Sequence, residues 1–542
     1  MTKKRQNDII LVDVVIVFFV IIMQFLKNKK EIFMKRVLSI TLALAMLCCV
    51  LALAACGGGK TPADTTKAPG PTGTGTEAPT TASTGIPPLD DWEQVAFNKR
   101  PGFENVDFGD KVFTIAVPVG RGDGWENYDI APTDENSPDP IDQAVLQRNR
   151  TIEELYKCTI VQKDAAYPTS ELTNDFATGR NTIDMVADRY ALTGFAGGNY
   201  YNINRLNLDL TKDWYDQGFI RDMTIDGKLY ALAGDFSIEA YDATWVMFVN
   251  LDVLENNEKT KDVNIFDLVR NYEWTLDKML ELCRYAQVNG GTDEMTLADA
   301  EDVFGLVSSS FQIRSLYLGT GNVFVQKTDD ASGKSSFQSG FNNQSAVDAT
   351  DLILEILADP SVSIPQSYTK VNPAFTNGQT LFASEVMSHA QSYADTEARF
   401  SIIPEPMLSA DQGAYYHNVD NHAGYYAVPK TCADIEVMSN FIEVFAYHSR
   451  YISYREYLNL YKYTYSSAAE DSAEMVDIIV HSRRYDAGYE LNWGGFAQTY
   501  TNDVAAGNNT VAENAAKFDR LLQQAAAAYQ EKINSYNDGI AS

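Results

Sequence analysis

Two spacings of hydrophobic residues alternate along the chain from about residue 89 to its end. Short apolar runs between turn residues predict strands at residues 112–117, 158–162, 183–187, 243–250, 303–308, 380–383 and 400–403. Hydrophobic residues three or four apart predict helices at residues 141–156, 171–177, 275–287, 346–357 and 511–535, in a region that is nearly all helical beyond residue 434. Asp226-Gly227 separates the apolar runs 223–225 and 228–232, which predicts a tight hairpin. Such alternation favours an α/β fold with a parallel or mixed sheet covered by helices.

The first 88 residues differ from the rest in composition. Residues 34–55 begin with the basic pair Lys35-Arg36, continue with an apolar core and end in two alanines that precede Cys56. This order resembles the lipobox of bacterial lipoproteins, and the resemblance implies that Cys56 carries a lipid. Because two or more acyl chains anchor a protein durably, we expect a lipid-anchored, extracellular protein on the outer face of the cytoplasmic membrane. An ordinary secretory signal and a first transmembrane helix are the alternatives.

Residues 1–33 contain a second apolar run, at residues 9–26, which read alone predicts an extra hydrophobic helix. However, Lys30-Glu31 is what an AAGGAG ribosome-binding sequence encodes, and only two residues separate it from Met34. We therefore predict that residues 1–33 are an over-extended gene start, and the extra helix is the alternative. Residues 56–88 comprise Cys56 and a stretch rich in Gly, Thr and Pro, which is too poor in large apolar residues to fold and predicts a flexible linker.

The charge balance is strongly acidic. The whole chain has 43 Lys and Arg against 73 Asp and Glu; residues 1–55 hold eight of the basic and three of the acidic ones, which leaves 35 against 70 and a net charge of −35. Such a surface repels nucleic acids, so we exclude a nucleic-acid partner. Three cysteines remain in the folded part, and their odd number and wide spacing predict free thiols rather than a disulfide framework: Cys158, Cys283 and Cys432.

Several segments behind the linker carry a family resemblance. They are residues 226–234 with 243–250, residues 374–382, residues 426–431, and residues 482–488 with 492–494. Together and in this order they resemble the extracellular solute-binding lipoproteins of ABC importers, a maltose-binding-protein-like group. The resemblance implies a two-lobed α/β fold of the type II periplasmic-binding-protein kind, with ligand bound in the cleft between the lobes.

The folded part is too long for a single core, which also favours two lobes. The resemblance places residues 89–240 with 404–432 in the N-terminal lobe and residues 241–403 with 433–542 in the C-terminal lobe. The chain is expected to cross between the lobes near residues 236–245, 403–406 and 430–434.

Signals for catalysis, cofactors and metals are weak. The acidic residues 134, 135 and 139 cluster in one loop, whereas the carboxylates of a glycosidase face each other from separate elements. His417 and His422 fit no zinc motif. Residues 289–294 lack the ligand spacing of a calcium loop, although a looser calcium site stays open there. We therefore expect no catalytic residue, no cofactor and no dedicated metal.

Aromatic residues are the better functional signal, because the C–H face of a sugar ring stacks on them. The chain has 30 Tyr, 26 Phe and 6 Trp. In open α/β sheets the ends of the strands face the ligand. The candidate ligand-binding residues follow predicted strands, lie near the first crossing or occupy a Gly-bounded C-terminal loop: Trp125, Tyr128, Arg189, Tyr190, Asp235, Tyr241, Asp242 and Trp493. Trp125 is expected to stack on a sugar from the N-terminal lobe, and Trp493 from the other side.

These observations predict a monomeric substrate-binding protein that captures a solute by hinge closure, with a sugar or oligosaccharide as the leading candidate. Its expected partners are the membrane subunits of an ABC permease. Two alternatives stay open: a surface hydrolase acting on glycans, and a ligand sensor or adhesin on the same fold.

Overall fold

The computed structural model describes residues 92–535, except residues 123, 133, 192–197, 292–293 and 366–367. By its internal contacts the chain separates into a unit of residues 1–83 and a unit of residues 84–542, and every described residue belongs to the second. The predicted signal peptide and the predicted linker, with Cys56 at its start, lie outside the described residues, so these assignments stay predictions.

The strands of the described part are short and spread over its whole length. They are β1 (Lys111–Pro118), β2 (Cys158–Ala165), β3 (Met185–Asp188), β4 (Trp245–Asn250), β5 (Phe304–Val307), β6 (Val325–Asp329), β7 (Ser335–Ser339), β8 (Val362–Ser363), β9 (Thr380–Val386), β10 (Phe400–Ile403), β11 (His417–Asn418), β12 (Tyr425–Ala427) and β13 (Arg483–Arg484).

The helices surround these strands and dominate the C-terminal part. They are α1 (Trp92–Ala96), α2 (Pro140–Tyr156), α3 (Pro168–Ala177), α4 (Gln217–Met223), α5 (Ile238–Asp242), α6 (Leu251–Asn256), α7 (Ile265–Arg270), α8 (Leu276–Ala286), α9 (Gln312–Gly319), α10 (Gln344–Ala358), α11 (Val371–Thr376), α12 (His389–Ala394), α13 (Ile435–Tyr451), α14 (Ser453–Asn459), α15 (Ala469–His481), α16 (Ala487–Glu490), α17 (Phe496–Ala505) and α18 (Val511–Ser535). Within the described ranges, no helix has both the length and the apolar character required to cross a bilayer.

A four-stranded sheet in the order β12–β3–β1–β2 forms the centre of the first lobe. β1 pairs in parallel with β2 and β3, and β12 adds an antiparallel edge. The rings of Phe113 on β1 and Phe441 on α13 stack with their centroids 3.9 Å apart, and both side chains are completely buried. Helix α13 therefore covers this sheet.

A five-stranded sheet in the order β10–β4–β9–β5–β8 forms the centre of the second lobe. β4 pairs antiparallel with β9 and β10, and every residue of β4 and β9 is buried. Phe248 of β4 contacts the rings of Tyr393 and Phe400 at centroid distances of 4.9 and 6.0 Å. Burial on both faces explains why residues 243–250 form a continuous apolar run instead of an alternating one.

The predicted α/β architecture is confirmed, and the predicted strands and helices agree with β1 to β5, β9, β10, α2, α3, α8, α10 and α18 within a few residues. The predicted hairpin is reduced to its turn. Asp226 and Gly227 have left-handed φ angles of 49° and 69°, and a single pair, Ile225 with Lys228, closes the turn. Met223, the first residue of the predicted first strand, is instead the last residue of helix α4, so the hairpin lacks its first strand.

The chain crosses between the lobes three times. The first crossing contains α5 and leads into β4, and the second connects β10 with β12, both near the expected positions. The third was expected near residues 430–434, but α13 packs on the first sheet. Ser472 of α15, in contrast, hydrogen-bonds Ser401 of β10 in the second lobe. The crossing therefore follows α13, and the assignment of residues 435–451 to the C-terminal lobe is corrected.

Candidate functional site

Two adjoining cavities lie between the lobes beside α5 and the second crossing. The first, which we call the acidic chamber, has a volume of about 350 Å³. It is lined by Gly124, Trp125, Glu126, Tyr128, Asp129, Asp139, Ile141, Asp142, Val145, Ile238, Glu239, Asp242, Ser388 and Gln391. The second, which we call the aromatic chamber, has a volume of about 400 Å³. It is lined by Gly124, Trp125, Trp245, Ser309, Phe311, Arg314, Glu385, Val386, Ser388, His389, Asp420 and His422.

Trp125 lies at the boundary and lines both chambers. Its loop follows β1 and turns through three glycines with φ angles of 81°, 76° and 83°, a region that side chains disfavour: Gly120, Gly122 and Gly124. The indole stacks on the imidazole of His422, with centroids 5.3 Å apart and planes 12° apart. The second crossing thus supports an aromatic platform that belongs to the first lobe.

Buried carboxyl groups form the floor of the acidic chamber, where α5 meets the first lobe. The backbone N–H of Glu239 donates to Asp129 Oδ1 at 3.2 Å. Glu239 Oε2 accepts from Asn127 Nδ2 at 2.8 Å and from the N–H of Gly424 at 3.1 Å. Burial raises the pKa of Asp129 to about 6, and burial followed by the charge of Asp129 raises the pKa of Glu239 to about 8. The carboxyl group of Glu239 therefore favours its neutral, protonated form at pH 7.

The aromatic chamber combines rings with groups that can bind hydroxyls. Asp420 accepts from Trp245 Nε1 at 3.1 Å and pairs with His422, which fixes two of the rings. Phe311 follows the end of β5 and is 48% exposed, and the Arg314 guanidinium lies 5.5 Å from its ring centre. The chamber therefore has an open aromatic face next to a cation.

Several polar groups that line the aromatic chamber are buried. Arg314 Nε and Ser309 Oγ are buried and have no hydrogen-bond partner among the described residues. Glu385 is 6% exposed, and burial raises its pKa to about 8. Its Oε2 lies 4.0 Å from His389 Nδ1. Donors and acceptors placed around apolar rings are what a polyhydroxylated ligand requires.

Three of the predicted site residues line the acidic chamber: Trp125, Tyr128 and Asp242. The Tyr128 hydroxyl donates to Glu126, and Asp242 accepts from the Tyr461 hydroxyl at 2.7 Å. Burial raises the pKa of Asp242 to about 7. Their contact with a ligand stays a prediction.

The other predicted residues lie outside both chambers. Asp235 and Tyr241 are buried beside the cleft, where Tyr241 donates to Asp235 at 2.8 Å and Asp235 pairs with Arg450 at 2.7 Å. Arg189 and Tyr190 follow β3, and the Arg189 guanidinium donates to the Tyr190 hydroxyl at 3.0 Å. Asp235 and Tyr241 thus connect the first crossing to Arg450 of α13, on the side away from the chambers.

Trp493 requires a correction. It is 5% exposed and packs edge-on against Phe337 and Tyr529, at centroid distances of 4.9 and 5.3 Å. Phe337 belongs to β7 and Tyr529 belongs to α18. Trp493 lines neither chamber. It is a core residue of the C-terminal segment, because these distant rings fill the space that its small neighbours leave.

Four lining residues of the chambers were not predicted from the sequence: Glu239, Trp245, Phe311 and Arg314. Phe311 and Arg314 come directly after a predicted strand, so the same strand-end rule that selected Trp125 would have found them. Trp245 was counted as part of an apolar strand, but its side chain lines the aromatic chamber and its indole donates to Asp420. Glu239 has no local sequence signal.

Among the described residues, no group of three or more His, Cys, Asp or Glu side chains could hold a metal ion. The loop at residues 289–294 is described only in part. There, Asp302 accepts from the backbone N–H groups of Gly290 and Thr296 at 3.0 and 2.7 Å, so this carboxylate closes the loop.

Comparison with known proteins identifies the fold. Neither a protein-family model nor a curated relative matches the sequence. A cyclo/maltodextrin-binding protein complexed with maltotetraose superimposes with a TM-score of 0.51 at 12% identity, over 77% of this chain and 97% of that one. The cyclic α-maltosyl-1,6-maltose binding protein from Arthrobacter globiformis gives 0.52 at 14%, over 78% and 100%. The sugar-binding protein MalE from Xanthomonas citri gives 0.51 at 10%, over 79% and 100%. The chain therefore has the two-lobed, maltose-binding-protein-like fold of type II periplasmic binding proteins, as predicted.

Proposed function

We propose that this chain is a lipid-anchored extracellular substrate-binding protein that captures a sugar or oligosaccharide between its lobes and delivers it to an ABC importer. The observation that carries the proposal is the position of Trp125, an aromatic platform at the boundary of two polar chambers. A sugar ring requires such a plane for its C–H face and hydrogen-bonding groups around it for its hydroxyls. The sugars named for the similar structures support a carbohydrate ligand.

Hinge closure is the proposed mechanism. The first lobe contributes Trp125, the first crossing contributes Glu239, and the second lobe contributes Phe311 and Arg314. A ligand that contacts all of them binds the closed arrangement more tightly than the open one, so it shifts the equilibrium towards closure.

The lipid anchor and the partner follow from other evidence. The lipobox ending in Cys56 supports attachment to the outer face of the cytoplasmic membrane, and the linker supports reach toward membrane-embedded permease subunits. We expect a monomer to be sufficient, because the proposed cleft is formed by residues of one chain.

The test is calorimetric titration of the protein with neutral oligosaccharides that differ in linkage and length. For a sugar that binds, Trp125→Ala should lower the affinity by about 1–3 kcal/mol, since a central aromatic contact is lost. Tyr285→Ala is the control, because Tyr285 is 38% exposed on α8 and lines neither chamber. Unchanged affinity in Trp125→Ala, or an equal loss in both variants, would contradict the proposed cleft.

Chromatography of the titrated sugars separates binding from hydrolysis. A binding protein returns every oligosaccharide intact, whereas a surface hydrolase produces shorter ones in proportion to time and protein concentration. Time-dependent products would reject the proposal in favour of the enzyme.

A further inference from the structure

Arg314 is a buried cation on the wall of the aromatic chamber. It lies in the first turn of α9, lines the chamber and is only 9% exposed. Its guanidinium lies 4.9 Å from the ring centre of Tyr489 and 5.5 Å from that of Phe311. Because a planar cation stacks on aromatic faces, these rings hold the guanidinium in place. A fixed charge in a ligand cavity is a candidate anchor for the ligand.

The guanidinium has no acceptor from the protein. Among the described residues, Arg314 forms neither a side-chain hydrogen bond nor a salt bridge. Its Nε is enclosed without a partner, whereas the two Nη atoms keep accessible surface, and the aromatic chamber is the cavity that the side chain lines. A guanidinium carries five N–H donors, and unsatisfied donors in a protein interior are costly. An acceptor from a ligand would therefore supply what this group lacks.

The two acidic residues of the chamber do not pair with this cation. The carboxylate of Asp420 accepts from Trp245 Nε1 at 3.1 Å and pairs with His422, and the charge of Arg314 acts on it only at longer range. Burial raises the pKa of Glu385 to about 8, so this carboxyl group favours its neutral form at pH 7. The positive charge of Arg314 thus lacks a direct anionic partner within the described part of the protein.

The start of α9 adds a positive potential on the same side. Ser309 and Phe311 line the chamber directly before α9, whose first residue is Gln312. Within the described ranges, no side-chain hydrogen bond caps this end of the helix. The partial positive charge of a helix N-terminus stabilises an anion near it. The helix dipole and Arg314 therefore favour a ligand charge of the same sign.

On the basis of the proposed function, we infer that the ligand is an acidic saccharide whose carboxylate binds the guanidinium of Arg314 in the aromatic chamber. The two oxygens of a carboxylate match a pair of N–H groups of a guanidinium, so this contact fixes the orientation of the sugar as well as its charge. The sugar ring then packs on the exposed face of Phe311. A uronic acid, which carries a carboxylate at C6, has this chemistry.

A phosphorylated sugar is the alternative anion. The adjoining acidic chamber shares Trp125 with this one and is lined by six residues that carry carboxyl groups. A phosphate group has close to two negative charges at pH 7, so these neighbours disfavour it more than they disfavour a singly charged carboxylate. We therefore favour the carboxylate.

The test uses pairs of trisaccharides that share linkage and ring configuration and differ at C6. The pairs are α-1,4-linked galacturonate and galactose, β-1,4-linked mannuronate and mannose, and β-1,4-linked glucuronate and glucose. Each sugar is titrated calorimetrically at pH 7, where the carboxylates are ionised. We expect the acid of at least one pair to bind about tenfold more tightly than its neutral partner, because a hydrogen bond to a charged group exceeds a neutral one by about this factor.

Two comparisons locate the effect in the contact with Arg314. The methyl ester of the preferred uronate keeps a carbonyl and loses the charge, so it should lose the preference. Arg314→Gln should weaken the binding of the uronate about tenfold more than that of the neutral partner. Arg314→Lys keeps the charge without the two-point contact, so it should retain only part of the preference. The ester and Arg314→Lys keep the test valid if Arg314→Gln does not fold.

Arg520→Gln is the matched control. Arg520 is exposed on α18 and lines neither chamber, so its substitution removes the same charge and should retain the full preference. Glucuronic acid and glucose 6-phosphate are compared in the same way.

The outcomes separate this inference from the proposed function. Neutral trisaccharides that bind as tightly as their uronates in every pair overturn the acidic-sugar inference and leave a sugar-binding protein. Full preference in Arg314→Gln, or for the methyl ester, also overturns it, because Arg314 would then not recognise the charge. Tighter binding of glucose 6-phosphate than of glucuronic acid overturns it in favour of a phosphate. Absence of binding for all these sugars and for the neutral oligosaccharides overturns the proposed function itself.

Discussion

At the scale of single residues, Glu239 joins three parts of the protein. It lies on the first crossing, accepts from Asn127 of the first lobe and accepts from the backbone of Gly424 on the second crossing. Because these hydrogen bonds meet at one buried carboxyl group, its protonation state affects the stability of the whole hinge region as well as the charge of the acidic chamber.

This position predicts a pH dependence of stability. Burial, and then the charge of Asp129, raise the pKa of Glu239 from 4.5 to about 8. Between these values the folded protein holds a proton that the unfolded chain has lost, so the free energy of unfolding falls as the pH rises through this window. Over this pH window, we expect the free energy of unfolding of Glu239→Gln to fall by at least about 1 kcal/mol less than that of the wild type, because one pKa unit corresponds to about 1.4 kcal/mol.

Urea unfolding at a series of pH values measures this difference. Other buried carboxyl groups with raised pKa values, such as Glu385 and Glu405, also make the free energy of unfolding depend on pH, so both proteins should retain part of this dependence. Glu513→Gln, at an exposed position of α18, should follow the wild type throughout. If Glu239→Gln loses as much stability as the wild type, Glu239 does not titrate in this window.

Trp493 gives a second prediction at this scale. Because its indole is buried between Phe337 and Tyr529, Trp493→Ala leaves a cavity and should cost about 3–5 kcal/mol of unfolding free energy. The affinity of the folded variant for sugar should not change. Denaturant melts and calorimetry of Trp493→Ala and Trp125→Ala should give opposite patterns; weaker sugar binding by a fully stable Trp493→Ala would return Trp493 to the site.

The contrast between these two tryptophans shows the limit of prediction at the residue scale. Both stand next to glycine and polar neighbours in the sequence, and both were expected to face a ligand. What separates them is packing against rings that are distant in the sequence: Trp493 is enclosed by Phe337 and Tyr529, whereas Trp125 stacks on His422 and lines both chambers. Local composition holds no information on such contacts.

At the scale of elements, hydrophobic spacing predicted well wherever an element's own burial determines its pattern. The completely buried β10 and the one-sided α18 agree with their predicted ranges. The spacing could not show which lobe receives an element: α13 has the amphipathic pattern of a covering helix, and both sheets need one. The stacking of Phe441 on Phe113 places α13 on the first sheet, and this contact joins segments that are distant in the sequence. The Asp226-Gly227 turn was recognised, but the helix before it was not.

That turn supports a prediction about α18. The Asp226 carboxylate accepts from Gln530 and Asn534 at 2.9 and 3.0 Å, and from the backbone N–H of Ser335 at 2.9 Å. Asp226→Ala removes these bonds, so we expect a loss of about 1–3 kcal/mol and faster hydrogen exchange in the last turns of α18.

Hydrogen-exchange mass spectrometry locates the effect. Asp330→Ala is the matched control, because Asp330 is an exposed turn aspartate that accepts only from its own loop, at Ser332 and Lys334. Unchanged exchange in the last turns of α18 in Asp226→Ala would show that the ring contacts alone hold the helix.

At the scale of the whole molecule, the cleft is built from segments that are far apart in the sequence. The glycine-rich loop of the first lobe, the two crossings and the α9 and α12 ends of the second lobe each contribute a few side chains. A hydrogen bond of 2.9 Å from Gln391 to Asp139 connects the lobes at the edge of the acidic chamber. The family resemblance predicted the existence of this cleft, and the strand-end rule found only the part that the first lobe supplies.

The net charge makes the proposed attachment testable at the same scale. With 35 basic and 70 acidic residues after Ala55, the chain is repelled by an anionic membrane surface, so retention there requires a hydrophobic anchor. Cys56→Ser should abolish lipidation and move much of the protein into the soluble fraction of cells lysed without detergent. Cys49→Ser is the matched control, since Cys49 lies in the apolar core of the predicted signal and cannot become the lipidated N-terminus. If Cys56→Ser stays as firmly in the membrane fraction as the control, the lipobox is not the anchor, and the apolar run at residues 9–26 becomes the segment to remove next.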